Sequence, residues 1–314
     1  MLEVEMIKKR LIGKFEGKNP GKLFVAIAGI HGNEKTGLDA LDRIFTRLEE
    51  DQPDFNGTIV GIAGNLKAIN ENTRYFDIDL NRIWTEDYLQ EIRSTPIGEM
   101  KVHEYKEMKS LLSEIDNVTK GTKKEDIIFV DLHNTSATQG MFTFTFEGTE
   151  NFRIASSLHI PIITGLDRSL KGTAIEYFDK QGYNSIAFEG GPLGFEKSID
   201  IHEAGIWLLL EACGSIDKTA IPDYATQKSL MLESADGFPD ISDLIYVHNI
   251  KVEDEFKMNN GYSNFQKVKK GELLGRDIEG DVLAPHTGYL MMPLYQKQGK
   301  EGFFITKDIE IQSE

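Results

Sequence analysis

Apolar and polar positions follow two different periods along the first two thirds of the chain. Residues 23–29 form a continuous apolar run that ends in glycine, as a strand buried on both faces does. Residues 36–50 place leucine, isoleucine and phenylalanine at helical spacing and predict a helix. Residues 58–64 and 126–132 are further apolar runs, and they predict two more buried strands.

The same alternation continues to about residue 213. Residues 139–147 alternate around Phe-Thr-Phe-Thr-Phe, and residues 185–188 are a short apolar run before two glycines and a proline. Both segments are typical of strands, whereas residues 201–213 predict a helix. Strands separated by helical segments predict an α/β fold, with a mixed sheet flanked by helices.

The pattern changes near residue 224. Short β-like segments at 244–252, 282–292 and 302–311 are separated by turns that contain glycine, and no amphipathic helix is indicated among them. We therefore predict two domains, an α/β domain at residues 1–224 and a smaller all-β C-terminal domain at residues 225–314.

Composition and charge narrow the class of protein. Lys and Arg total 35 against 51 Asp and Glu, and the net charge of -16 argues against nucleic acid and anionic membranes as partners. The single cysteine, Cys213, excludes an intrachain disulfide and a site built from several thiolates. Neither a signal-peptide core nor an apolar run long enough for a membrane span is present, so we expect a cytoplasmic protein.

Two histidines and a glutamate follow predicted parallel strands. His31 and Glu34 lie three residues apart between a strand and a helix, so one turn can direct both side chains at one metal ion. His133 ends the strand at 126–132, and the ends of parallel strands meet at the ligand-binding edge of an α/β sheet. Two histidines and a carboxylate leave one open position on Zn²⁺, which is the catalytic arrangement. The alternatives are a surface pair at His31 and Glu34, and a core histidine at His133.

Two further segments carry candidate chemistry. In residues 74–82, Arg82 beside Asn81 suits a carboxylate, because a guanidinium fork and an amide can both donate to it. A solvated loop is the alternative for this segment. Glu189 ends a strand before Gly-Gly-Pro, and it is either a turn or cap acid or the general base for a metal-bound water.

These motifs together resemble the succinylglutamate desuccinylase/aspartoacylase family of zinc hydrolases, relatives of the zinc carboxypeptidases. His-Gly-Asn-Glu, Asp-Leu-Asn-Arg, Asp-Leu-His-Asn and Glu-Gly-Gly-Pro occur in this order between residues 23 and 194. Val-Leu-Ala-Pro-His-Thr-Gly-Tyr-Leu in the C-terminal part is also similar to the family. The resemblance implies that residues 1–224 are a zinc-carboxypeptidase-like catalytic domain that holds one zinc ion per chain.

The resemblance also implies a role for each motif residue. The zinc ligands are His31, Glu34 and His133; the catalytic glutamate is Glu189; the arginine that polarises the scissile carbonyl is Arg74; the pair that grips the substrate carboxylate is Asn81 and Arg82; and the aspartate that hydrogen-bonds the zinc ligand His31 is Asp79.

The sequence departs from the family pattern in two places. Residues 172–187 contain no arginine of the kind that helps aspartoacylases hold acyl-aspartate, which argues against that substrate. Tyr289 and Tyr295 are both candidates for the family's substrate-binding tyrosine, and His286 can equally be a loop histidine.

The implied function is a zinc-dependent amidohydrolase that cleaves an N-acyl amino acid or a similar small amide bearing a carboxylate. A metallocarboxypeptidase acting on short peptides would use the same residues. A non-catalytic zinc-binding protein on the same scaffold is the third possibility, and the filled metal, base and arginine positions argue against it. The expected partner is the small-molecule substrate, and the sequence leaves assembly into a homo-oligomer open.

Overall fold

The chain folds around one large mixed sheet, and a computed structural model describes residues 9–146 and 148–309. The helices are α1 (Thr36–Asp51), α2 (Leu66–Glu71), α3 (Glu86–Ser94), α4 (His103–Thr119), α5 (Thr149–Ser156), α6 (Leu166–Ser169), α7 (Ala174–Lys180), α8 (Lys197–Ala212) and α9 (Tyr224–Ala235). The strands are β1 (Leu11–Glu16), β2 (Asn19–Ala28), β3 (Asn56–Ala63), β4 (Ile127–Thr135), β5 (Phe142–Thr145), β6 (Ile162–Thr164), β7 (Asn184–Pro192), β8 (Ile241–Asn249), β9 (Lys257–Met258), β10 (Gln266–Val268), β11 (Leu273–Asp277), β12 (Gly280–Leu283), β13 (Gly288–Met291) and β14 (Glu301–Asp308).

The large sheet has eleven strands in the order β1-β3-β2-β4-β7-β5-β6-β8-β14-β13-β10. Its centre, β3-β2-β4-β7, is parallel, and β1 and β5 flank this centre in antiparallel pairing. Strands β9, β11 and β12 form a small separate antiparallel sheet. The predicted α/β class with a mixed sheet and a smaller β part is confirmed.

Strand β2 shows why helices cover both faces of this sheet. Its side chains alternate between two cores, because successive residues of a strand point to opposite faces. Phe24 packs with α1, α5, α8 and α9 on one face. Val25 packs with α3, α4 and α7 on the other face. A strand buried on both faces needs apolar residues at every position, which is the continuous run seen in the sequence.

The C-terminal part differs in one respect from the predicted pattern. Helix α9 lies in a segment for which only strands are expected, and it packs against α8. Met231 is the one fully buried residue of α9. The helix therefore needs no apolar face, and the sequence shows no helical repeat of apolar positions there. Strand β8 then pairs in parallel with β6 and continues the large sheet. The division into domains at residue 224 stays a prediction. Within the described ranges, no helix is both long and apolar enough to cross a membrane.

Candidate active site

The candidate site lies at the carboxyl ends of the central parallel strands. Ala28 and Leu132 are register partners near the ends of β2 and β4, and the histidines His31 and His133 follow them. The turn after β2 depends on glycine, because Gly29 has a φ of 72°. The backbones of this turn and of α2 also approach closely, since a Cβ on Gly32 would lie 2.0 Å from the carbonyl carbon of Ala68. These constraints fix the loop that carries the first histidine.

His31, Glu34 and His133 come together as one buried group. Their potential ligand atoms all lie within 4.8 Å of one another. The Glu34 carboxylate joins the two rings, with Oε1 2.8 Å from Nδ1 of His31 and Oε2 2.8 Å from Nδ1 of His133. The structure thus brings the three predicted ligands to one point, although they come from a turn and a separate strand. This donor set fits a zinc ion held through the two Nδ1 atoms and the carboxylate.

A second carboxylate holds the far side of each histidine ring. Asp79 Oδ1 lies 3.0 Å from Nε2 of His31, and Asp131 Oδ2 lies 2.7 Å from Nε2 of His133. Such contacts fix the tautomer and orientation of a metal-ligating imidazole. The first contact matches the one expected for Asp79. The role of Asp131 was missed, although residues i and i+2 of a strand share a face and could have indicated it.

The charges of this buried group favour a cation. Burial alone would raise the pKa of Glu34, but the imidazoles of His31 and His133 hold it well below its usual range. Burial would likewise lower the pKa of His133, yet the carboxylates of Asp131 and Glu34 raise it well above its usual value. Arg74 pairs with two of the three buried carboxylates around the histidines, Glu34 and Asp79, whereas Asp131 contacts the His133 ring. A divalent cation would therefore add balancing positive charge to this group.

Arg74 and Glu189 lie beside this group. Arg74 donates from Nη1 to Glu34 at 3.0 Å and from Nη2 to Asp79 at 3.4 Å, and its buried Nε has no partner among the described residues. Glu189 on β7 is the register partner of His133 on β4, so the two strands present them side by side. Burial raises the pKa of Glu189 to about 7, and its Oε2 likewise has no described partner. A buried carboxyl group and a guanidinium therefore flank the candidate metal-binding group.

Asn81 and Arg82 line the same cavity, but both already have protein partners. Asn81 Nδ2 lies 3.2 Å from Nε2 of His133, and its Oδ1 accepts from the backbone N–H of Ala174 at 2.8 Å. Arg82 forms a bidentate ion pair with Glu301. Glu301 belongs to none of the sequence motifs, so the sequence does not single it out.

A buried glutamate of α4 organises the loop that carries these residues. The Glu104 carboxylate accepts from the backbone N–H groups of Phe76, Asp77 and Ile78, at 2.8, 3.0 and 3.3 Å. It is fully buried. The sequence does not indicate this contact, because glutamate side chains are usually exposed to solvent.

The rest of the cavity wall is mostly apolar. The apolar lining residues include Phe144, Leu166, Leu170, Ile175, Met292 and Phe304. The tyrosine candidates are engaged elsewhere: Tyr289 donates to Asp308, and Tyr295 donates to the carbonyl of Asn259. His286 lies against the ring of Tyr246. Among the described residues, none of these three lines the cavity.

Comparison with known proteins gives a consistent result. Residues 20–205 match the family described as succinylglutamate desuccinylase/aspartoacylase catalytic domain. A succinylglutamate desuccinylase from Photorhabdus laumondii is 38% identical over 65 residues, which are 21% of this chain and 20% of that protein. A succinylglutamate desuccinylase from Shewanella putrefaciens is 24% identical over 286 residues, or 86% of this chain and 77% of that protein.

A solved structure shares the fold. The succinylglutamate desuccinylase/aspartoacylase structure from Rhodobacter sphaeroides superposes with a TM-score of 0.67 at 16% identity, and the match covers 96% of this chain and 88% of that one. The similarity therefore extends beyond the catalytic segment to the β-rich C-terminal part.

Proposed function

Because the chain belongs to the succinylglutamate desuccinylase/aspartoacylase family, we propose that it is a cytoplasmic, zinc-dependent amidohydrolase. Its substrate is an N-acyl amino acid or a similar small amide that bears a carboxylate. One observation carries this proposal: a buried His31–Glu34–His133 group lies next to a second buried carboxylate, Glu189, which none of the three contacts by a hydrogen bond. One carboxylate thus serves as a metal ligand while the other is available for proton transfer.

The metal would be held by His31, Glu34 and His133, with Asp79 and Asp131 orienting the two rings. When bound, zinc would act as a Lewis acid that lowers the pKa of a water molecule to about 7. The remaining chemistry belongs to residues of the chain.

Glu189 is suited to carry the proton. With a pKa of about 7, its carboxylate takes a proton from the attacking water and returns it to the leaving nitrogen. Arg74 donates to the scissile carbonyl oxygen as negative charge develops on it. Arg82, with Asn81 beside it, binds the substrate carboxylate and so fixes the position of the scissile bond.

A substrate panel combined with metal exchange tests this function. The protein is stripped with a chelator, reloaded with zinc, and assayed for amine release from N-acyl amino acids and from short peptides. We expect the zinc-loaded protein to hydrolyse an N-acyl amino acid with a higher kcat/KM than any peptide, and we expect chelation to abolish the activity. His133→Ala should lose both zinc and activity, whereas the exposed control His286→Ala should keep both.

Two results would contradict the proposal in different ways. Faster cleavage of peptides would indicate a metallocarboxypeptidase. Protein that neither binds stoichiometric zinc nor gains activity from added zinc would indicate a non-catalytic scaffold.

A further inference from the structure

Arg82 is held from two sides by the protein itself. Its Nε and Nη2 donate to Oε1 and Oε2 of Glu301 at 3.1 and 2.9 Å, and its Nη1 donates to the carbonyl of Asn81 at 2.8 Å. The side chains are 13% and 12% exposed, so the ion pair is largely removed from water. Two parallel N–H···O bonds are the geometry in which guanidinium binds a carboxylate most strongly.

The pair joins two distant parts of the chain. Arg82 ends a short turn of 3-10 helix at Leu80–Arg82, and Glu301 is the first residue of β14. The sheet fixes the strand end, because Glu301 is the register partner of Asn249 on β8. Both residues line the cavity, so the Glu301 carboxylate lies where the proposed function places the substrate carboxylate.

The cavity offers a substrate anion no unpaired cation among its described lining residues. The basic side chains among the described lining residues are Arg74 and Arg82. Arg74 already donates to Glu34 and Asp79. A carboxylate that enters therefore meets an arginine already neutralised by Glu301. Because two carboxylates repel each other at short distance in a poorly solvated pocket, they cannot share one guanidinium without cost.

We propose that Glu301 is a specificity-determining residue, an internal carboxylate that competes with the substrate carboxylate for Arg82. This inference rests on the proposed function and refines its substrate class. An N-acyl amino acid must displace Glu301 from the guanidinium, whereas the corresponding neutral carboxamide leaves the ion pair intact. The wild-type protein therefore discriminates weakly between the free acid and the carboxamide, and Glu301 is the reason.

Binding measurements on a matched ligand pair test the competition directly. The probes are N-acetyl amino acids and their primary carboxamides, titrated by calorimetry into the full-length, zinc-loaded protein. This protein carries Glu189→Gln, which we expect to slow turnover. Adding Glu301→Gln should lower the Kd of the free acid by at least about tenfold, or about 1.4 kcal/mol. The Kd of the carboxamide should change by less than about twofold.

Two controls separate competition from a general charge effect. Asp281→Asn removes a carboxylate from an exposed ion pair with Arg276 and should leave both Kd values unchanged. In an Arg82→Gln background, Glu301→Gln should no longer improve binding of the acid, because the contested guanidinium is gone. Glu301→Met, which also removes the charge at similar volume, serves if the glutamine variant folds poorly by circular dichroism.

The proposal is overturned if Glu301→Gln leaves the Kd of the free acid unchanged or raises it, since Glu301 would then only orient Arg82. It is also overturned if the improvement persists without Arg82. Failure of the proposed function has a different signature, namely no amine release from the panel by protein that retains Glu189. The ratio of acid to carboxamide Kd decides the competition independently of that result.

Discussion

At the scale of single residues, the site separates two carboxylates by their surroundings. Burial alone would raise the pKa of Glu34, but the imidazoles of His31 and His133 hold that pKa well below the usual range, so the carboxylate stays ionised. Burial instead raises the pKa of Glu189 to about 7, where a carboxyl group can both accept and donate a proton near neutral pH. The same side chain thus suits metal binding at one position and proton transfer at the other.

Substitution by glutamine should separate these two roles. Glu189→Gln keeps the size of the side chain but cannot accept the proton, so kcat should fall by about 10²–10⁴-fold while zinc content stays normal. Glu34→Gln should lose zinc, because an amide is a poorer ligand than a carboxylate. Metal analysis and steady-state kinetics on both variants check this. Zinc loss from Glu189→Gln, or near-normal turnover by it, would show that the roles are assigned wrongly.

At the scale of elements, helix α4 and the loop at residues 74–82 act as a unit. Glu104 in the first turn of α4 satisfies three consecutive backbone N–H groups of this loop, and it also accepts from Asn65 Nδ2 at 3.2 Å. Asp79 then caps the following turn, since its Oδ1 accepts from the backbone N–H of Asn81 at 2.8 Å. The loop therefore has its shape without regular hydrogen bonding of its own.

Glu104 is a positioning residue, so Glu104→Gln should lower kcat although residue 104 does not contact the substrate. Glutamine has one acceptor oxygen in place of two, so at least one buried N–H loses its partner, at about 1–3 kcal/mol of stability. Because Arg74 lies on this loop, we expect kcat to fall several-fold while KM changes less. The zinc content should stay normal. Thermal unfolding, metal analysis and kinetics check this, and Asp116→Asn on the exposed side of α4 is the control. Reduced stability with unchanged kcat would mean that Glu104 stabilises the fold but does not position the catalytic residues.

At the scale of the whole molecule, a buried histidine links the site to the helices beneath it. His202 on α8 is fully buried, and its Nδ1 lies 3.0 Å from Thr36 Oγ1 on α1. Thr36 in turn donates to Asn134 at 2.7 Å. Burial lowers the pKa of His202 to about 4, so the ring is neutral in the folded protein at neutral pH.

This histidine should make the fold sensitive to acid. Between pH 6.5 and about 4, the unfolded chain binds a proton at this residue that the folded chain excludes. The free energy of unfolding should therefore fall as the pH is lowered through this range, by about 3 kcal/mol from His202. Urea unfolding at several pH values checks this, with the difference between wild type and His202→Gln giving the contribution. As a control, His286→Ala at an exposed histidine should show the same pH dependence of stability as the wild type. The prediction is contradicted if the free energy of unfolding changes equally with pH in the wild type and in His202→Gln.

Much of the fold was predictable because burial leaves a regular trace in the sequence. Strands β2, β3 and β4 are buried on both faces and appear as continuous apolar runs. Helix α9 leaves no such trace, because only a single residue of this helix, Met231, is fully buried and no apolar face is needed. The short strands β9 and β10 are likewise too brief to show a period.

The sequence by itself determined the central elements and the convergence of His31, Glu34 and His133, because parallel strands bring their carboxyl ends to one edge. Only the tertiary structure decided what surrounds them. Arg82 and Glu301 are 219 residues apart, and the loop anchor Glu104 contacts backbone groups about 27 residues away. Single polar contacts of this kind follow no period, since each depends on where two separate elements are packed rather than on the spacing within either one.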